Sequence, residues 1–232
     1  MTTYQQPKTH WTTKDIPDLT GKIALISGGS SGIGLEAARA LAEKGAEVHL
    51  SARNAQRGQD ARDHLIEATG NRHIYYHKLD LTNVDGHNYN AWTIYLETKL
   101  AQAQIARKLD QVFTEKRYPI TMMAANPGVA ATNLVTKNAG ATSTAMRMGA
   151  LLFRLFPSIR QSAAEGALPT LYAATDPHAQ GGAVYSPNNR QNTKGYPALW
   201  KWNETPEMTD QQALDQLLEE SLKLLKLPAS VL

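Results

Sequence analysis

The stretch Lys22-Ile23-Ala24-Leu25-Ile26-Ser27-Gly28-Gly29-Ser30-Ser31-Gly32-Ile33-Gly34 decides the fold. Its first half is a short apolar run suited to a buried parallel strand. Residues 35–44 then carry apolar side chains at helical spacing (Ala37, Ala38, Leu41, Ala42), and Gly45 stops that helix. Residues 47–52 read as a second strand. Strand, glycine turn, helix and strand in this order predict an α/β fold with a parallel sheet. A glycine cluster alone is an ordinary turn; between a strand and a helix it reads as a phosphate cradle. Glycines let the backbone turn tightly and approach a pyrophosphate, while the helix presents free N–H groups and the positive end of its dipole. The hydroxyls of Ser30 and Ser31 can add donors.

The rest of the composition mainly excludes. The chain has 232 residues, enough for one α/β domain with a substantial core. Its net charge of +3 is scattered, so no nucleic-acid partner is expected. With no cysteine, disulfides, thiolate catalysis and Cys-based metal sites are excluded. That is compatible with the cytoplasm, the expected location. Residues 1–11 lack the apolar core of a signal peptide, and no stretch approaches the ~18 apolar residues of a spanning helix. No stable membrane anchor is expected. His73 and His77 are four apart on a segment that reads as strand, where a metal pair is improbable, and no metal centre is assigned.

Gly28-x-x-x-Gly32-Ile33-Gly34 resembles the glycine motif of the short-chain dehydrogenase/reductase family, and residues 15–22 (Asp-Ile-Pro-Asp-Leu-Thr-Gly-Lys) resemble its retinol-dehydrogenase-like branch. The resemblance implies a Rossmann-type doubly wound parallel sheet, with Gly28, Ser30, Ser31, Gly32, Ile33 and Gly34 at the dinucleotide. At the end of the second strand, where an NAD enzyme places an acid for the ribose, this chain has Ala52 and then Arg53. Losing the acid removes repulsion of a 2′-phosphate, and a guanidinium binds that phosphate in a forked geometry. We read this as a preference for NADP(H), the competing reading being a surface arginine; Arg57 is a weaker second candidate. Residues 59–68 read as helix and 73–79 as a third strand leading into Asp80 and Leu81. The resemblance implies an adenine contact for Asp80, where spacing alone reads a turn.

Residues 90–113 form a long helical pattern with Tyr95 and Lys99 at i and i+4 on one face. A phenol has a pKa near ~10, too high to exchange protons readily at neutral pH, and a nearby ammonium lowers it. The pair resembles the family's Tyr-x-x-x-Lys, which implies proton transfer at Tyr95, with Lys99 tuning it and binding the nicotinamide ribose. Residues 119–125 read as a strand. The following Pro127-Gly128-Val129-Ala130-Ala131-Thr132 resembles the family segment whose backbone and Thr meet the nicotinamide side of the cofactor. Residues 162–175 resemble a later helix of the branch and 183–187 its final strand; residues 209–226 carry a leucine stripe that reads as a packing helix. Residues 146–156, rich in Met, Leu and Phe, are either an apolar substrate lid or an amphipathic core helix, with membrane-surface attachment a third reading.

One part of the family pattern is absent. Tyr95 follows Asp80 by 15 residues, where the family carries two strands, two helices, an Asn-Asn-Ala-Gly support and a catalytic Ser. From Ala52 to Thr142 there is no serine; Thr82 and Thr93 are hydroxyl candidates by type only. The sheet is therefore expected without its central fourth and fifth strands. Three explanations stand: a segment of a longer chain left out near residues 84–89, a true deletion, or a rearrangement that completes the sheet. The first is favoured, because such a deletion leaves a marginal fold. The expected organisation is an arm over residues 1–20, pinned by Trp11, Ile16, Pro17 and Leu19, and one Rossmann-type oxidoreductase domain over 21–232. The expected activity is hydride transfer between NADP(H) and a lipophilic alcohol, aldehyde or ketone of the kind an apolar 146–156 lid would suit; a catalytically inactive nucleotide-binding or regulatory module is the alternative, and the resemblance is compatible with a homo-oligomer.

Overall fold

In the computed structural model, residues 5–52, 54–78, 91–130, 161–189, 191–224 and 226–228 are described, with the side chains of 91–98 and 224 excepted. The glycine-turn unit forms as its sequence dictates. Strand β1 (Ile23–Ser27) leads into helix α1 (Gly32–Glu43), strand β2 (Glu47–Ala52), helix α2 (Ala55–Thr69) and strand β3 (Ile74–Lys78). The strands are parallel in the order β1-β2-β3, with Ile23 opposite Glu47 and Val48 opposite Ile74. This is the first half of a doubly wound sheet. Helix α2 starts further upstream than its apolar pattern suggests, because the Asn54 side chain accepts from the Arg57 N–H and caps it. Gly58 is buried under the Tyr76 ring, which any larger side chain would strike.

The second half is a separate sheet. Helix α3 (Ala91–Glu115) precedes strand β4 (Ala124–Ala125), helix α4 (Ala163–Thr175), strand β5 (Val184–Pro187) and strand β6 (Pro197–Leu199). Strands β4 and β5 are parallel, and β6 adds antiparallel to β5. Among the described residues no ladder joins β1 to β4. The gap falls where the fourth and fifth strands of the family pattern belong. The strand expected over 119–125 is only two residues long, and among the described residues β4 pairs on one side only. One face of β1 is bare: Ile23 is 72% and Leu25 75% exposed. Strand β5 is not the last, because the loop after it returns to lay β6 alongside. The terminal helix, α5 (Gln211–Leu224), begins after a one-turn helix at Pro206–Thr209 and buries Leu214 while packing on α3.

The main core lies between sheet and helices on the covered face. Val48, Leu50, Leu65, Ile74, Leu171 and Tyr185 are buried there. Trp11 and Ile16 of the N-terminal segment join it, Leu19 packs against it, and Pro17 is exposed. The Trp11 indole donates to Asp176 at 2.8 Å and meets the Tyr172 ring edge-on, centroids 5.4 Å apart. Burial, with Asp176 and Tyr185 nearby, pushes the Tyr172 phenol up to about 12. Gln5 and Gln180 exchange hydrogen bonds of 3.0 and 2.9 Å. The segment is thus docked by an aromatic anchor and polar pairs on the α4–β5 side.

A second node ties α3 to the other elements. Arg107 is buried, and its guanidinium donates to the carbonyls of Gly182, Asn203 and Met208 and to Asn203 Oδ1. Asn203 in turn accepts from the Val184 N–H and donates to the Val184 and Trp200 carbonyls. One side chain of α3 thereby fixes β5, the 3-10 turn Lys201–Glu204 and the turn before α5.

Candidate nucleotide site

The glycine turn is held by the strand beside it. The N–H groups of Gly28 and Gly29 both donate to the Ser51 carbonyl, at 2.9 and 3.2 Å. Gly28 has φ +76° and Gly32 φ +57°, conformations that favour glycine. A Cβ on Gly34 would lie 2.6 Å from the Gly28 carbonyl oxygen, so the first turn of α1 sits directly against the loop. The N-terminus of α1 is left open to a ligand. Ser31 is its N-cap but makes no side-chain capping bond, and no acidic residue occupies the first turn. Helix α4 is built the opposite way: Ser162 and Glu165 close a full capping box. An uncapped N-terminus on a glycine turn, with the Ser31 hydroxyl uncommitted to capping, suits an anionic group.

Replacing Gly34 with alanine should therefore raise the dissociation constant for a nicotinamide dinucleotide at least about tenfold, equivalent to ~1.4 kcal/mol. Fluorescence titration alongside an unfolding curve checks this; an unchanged dissociation constant in a folded variant would refute the cradle.

The Pro127–Gly128 loop is the second part of the site. Asn126 closes the β4 ladder by donating to the Tyr185 carbonyl at 2.8 Å, and its side-chain oxygen accepts from the Gly128 N–H at 3.1 Å. Gly128 has φ +67°, and a Cβ there would strike the Thr193 carbonyl. The Val129 N–H donates to Thr193 O at 2.8 Å and its carbonyl accepts from Gln161 N at 3.0 Å. A cofactor amide would therefore have to use the second lone pair of the Val129 carbonyl rather than its N–H.

Gln161, buried, is the residue that sequence reasoning missed. Its side chain donates to Pro127 O at 2.6 Å and accepts from Gly195 N at 3.1 Å, while Ala130 bridges to its backbone. Nothing in the sequence signals it, because each partner is a main-chain group of a distant loop.

Gly166 on α4 brings the two parts together. A Cβ there would lie 2.8 Å from Ala130 Cβ and 3.5 Å from both Ile33 Cγ1 and Pro127 O. The glycine turn and the Pro-Gly loop thus flank one helix at the carboxyl ends of β1 and β4, where open α/β sheets bind ligands. Lys99 lies exposed on α3, and its ammonium donates to Gln102 Oε1 at 3.1 Å. Tyr95 is helical, four residues before it; its side chain lies outside the described residues. Arg53, Asp80, Leu81, Thr82, Thr132 and the segments 84–89 and 146–156 also lie outside them. The Arg57 side chain is exposed at the start of α2. Among the described residues no group of three or more His, Cys, Asp or Glu is placed to hold a metal ion, and no helix is long and apolar enough to cross a membrane.

A family model described as short chain dehydrogenase matches residues 22–89. Over these residues the chain is similar to the short-chain dehydrogenase/reductase family of oxidoreductases. A short-chain dehydrogenase/reductase of Armillaria gallica is 42% identical over 78 residues, 34% of this chain and 25% of that protein. Mouse retinol dehydrogenase 11 is 40% identical over 65 residues, 28% of this chain and 21% of that protein, in agreement with the retinol-dehydrogenase-like branch. The matches span about a quarter of the length of these curated relatives. Fold similarity extends further. An uncharacterized protein of Mycobacterium Paratuberculosis superposes with a TM-score of 0.69 at 20% identity, covering 94% of this chain and 98% of that one. L-Sorbose reductase from Gluconobacter frateurii, solved with NADPH and L-sorbose, gives 0.58 at 18% identity, covering 73% and 95%. At these identities the likeness concerns the Rossmann-type α/β fold.

Proposed function

We propose that this protein is an NADP(H)-dependent oxidoreductase that moves hydride between a nicotinamide and a carbonyl or alcohol carbon of a lipophilic small molecule. The observation that carries the reading is the uncapped N-terminus of α1 behind a loop in which Gly28 and Gly32 take positive φ and a Cβ on Gly34 would strike the Gly28 carbonyl, within a segment matching the short-chain dehydrogenase/reductase family. Arg53, following Ala52 with no acid at the end of β2, supports the phosphorylated cofactor. In this reading residues 21–232 form one oxidoreductase domain behind the 1–20 segment, and the protein works in the cytoplasm.

The glycine turn, with the α1 N-terminus open behind it, fits a pyrophosphate. In this reading Gly28 to Gly34 and the N–H groups of α1 would hold that group, Arg53 the 2′-phosphate, Asp80 and Leu81 the adenine end, and Pro127 to Val129 with Thr132 the nicotinamide end. When bound, the reduced cofactor supplies hydride, that is, a hydrogen with both electrons of its C–H bond. Tyr95 then gives its phenolic proton to the oxygen that receives the carbonyl π pair, and in the reverse direction takes that proton from the alcohol. The ammonium of Lys99, one helical turn away, stabilises the phenolate left behind and binds ribose.

The test is oxidation of NADPH, followed by absorbance, against a panel of aliphatic and aromatic aldehydes and ketones, with NADH in parallel. Turnover with NADPH exceeding that with NADH is the expected result. Tight NADPH binding without turnover on any carbonyl would replace this reading with that of an inactive nucleotide-binding module; NADH preference would overturn the role of Arg53.

A further inference from the structure

The solvent-facing side of the β1-β2-β3 sheet carries a polar array with no part in the nucleotide site. Glu47 and His49 alternate on β2 and so share a face. Because His49 is opposite Tyr75 and Ser51 opposite His77, His77 lies on the same face, one diagonal step from His49. His49 Nδ1 and His77 Nε2 are 2.8 Å apart, and His49 Nε2 is 2.8 Å from Glu47 Oε1. The two imidazole planes differ by 14° with centroids 5.0 Å apart. That separation, with nitrogens in contact, sets the rings edge to edge, so their in-plane nitrogens point at one another. Tyr75 lies over the His49 ring at 5.0 Å and 28°, which steadies it.

Glu47 decides the tautomer. A carboxylate accepts only, so the proton sits on His49 Nε2 and the Nδ1 lone pair is left facing His77. A carboxylate behind one imidazole nitrogen, with the other presented as a lone pair, is the arrangement that orients histidine toward a metal. We propose that His49 Nδ1 and His77 Nε2 form a two-imidazole site for a borderline divalent transition ion of the Zn²⁺ class, with Glu47 as the positioning residue and water completing the shell.

Two nitrogens on a tetrahedral zinc lie about 3.4 Å apart. Opening the 2.8 Å contact to that distance needs only small side-chain rotations on an exposed face. The ion would take the place of the proton between the rings; that proton would pass through water from His77 Nε2 to His77 Nδ1, so that both imidazoles stay neutral and each presents a lone pair. It would also cross-link β2 to β3, the strand at the edge of this sheet. Imidazole nitrogens suit zinc, copper and nickel, whereas Mg²⁺ and Ca²⁺ prefer oxygen and are not expected to compete.

The experiment is titration of the purified full chain with Zn²⁺ in competition with a chromogenic chelator, together with the thermal midpoint with and without Zn²⁺. The expected result is one site per chain and a raised midpoint, since binding to the folded state alone stabilises it. His77→Gln and His49→Gln should each weaken that site at least about tenfold, and Glu47→Gln about tenfold, the cost of removing a carboxylate behind a metal-bound histidine. His64→Gln, on the exposed side of α2, should leave it unchanged. Equal zinc uptake by wild type and the His49→Gln/His77→Gln double variant would overturn the proposal. So would wild-type binding no tighter than that of the double variant, which would make the array a hydrogen-bond ladder only.

Discussion

Tyr95→Phe is expected to lower turnover of NADPH with a carbonyl substrate by about 10²–10⁴-fold while leaving the NADPH dissociation constant within about twofold, the size of a lost general acid. The α3 backbone runs unbroken through Ala91–Glu115, so positions 95 and 99 stand one turn apart on one face. Phenylalanine keeps the ring and the helix and removes only the exchangeable proton. The alkoxide formed on hydride arrival would then have to take its proton from water. Under the proposed mechanism Lys99→Met should act differently, because the phenol would remain without the ammonium proposed to stabilise its phenolate. Its pH profile of turnover should move upward, which an indirect structural effect would not produce. Turnover of Tyr95→Phe within twofold of the wild type would remove Tyr95 from the chemistry while leaving the nucleotide site standing.

Arg107→Met is expected to destabilise the protein by about 3–5 kcal/mol, seen as a lower denaturation midpoint. The replacement fills much of the volume but donates nothing. The carbonyls of Gly182, Asn203 and Met208 lose the guanidinium donors they now hold, and each buried unsatisfied acceptor costs about 1–3 kcal/mol. Relief from burying the charge offsets part of that sum. Lysine should not rescue, since a point ammonium cannot span the fork that reaches three segments. A midpoint change worth less than about 1 kcal/mol would mean that water replaces the guanidinium without loss.

The contrast between these two residues shows what was legible in the sequence. The glycine turn was readable because its requirements are local: Gly28 and Gly32 take positive φ and Gly34 approaches Gly28, all within seven positions. The parallel order of β1, β2 and β3 followed from the helices between them. Arg107 and Gln161 were not readable, because their partners are main-chain groups that only the finished fold brings near, 75 to 101 positions away in the case of Arg107. Strand β6 was missed for a different reason. Pro197 speaks against a strand, yet it is tolerated at the start of one whose other edge pairs with nothing described. His49 escaped notice as a partner of His77 because spacing along the chain cannot show what stands on the neighbouring strand.

Among the described residues the two sheets share no ladder; α1 packs on α4, and Gly166 lies close to both nucleotide loops. Hydrogen-bonded strands specify register residue by residue, whereas apolar helix faces require only matching shape. Each half of the nucleotide site therefore takes its local conformation from its own sheet. The hydrogen bonds that shape each nucleotide loop do not pass through the junction between β3 and α3, so a change of sequence there would act on the stability of the whole rather than on the shape of either loop.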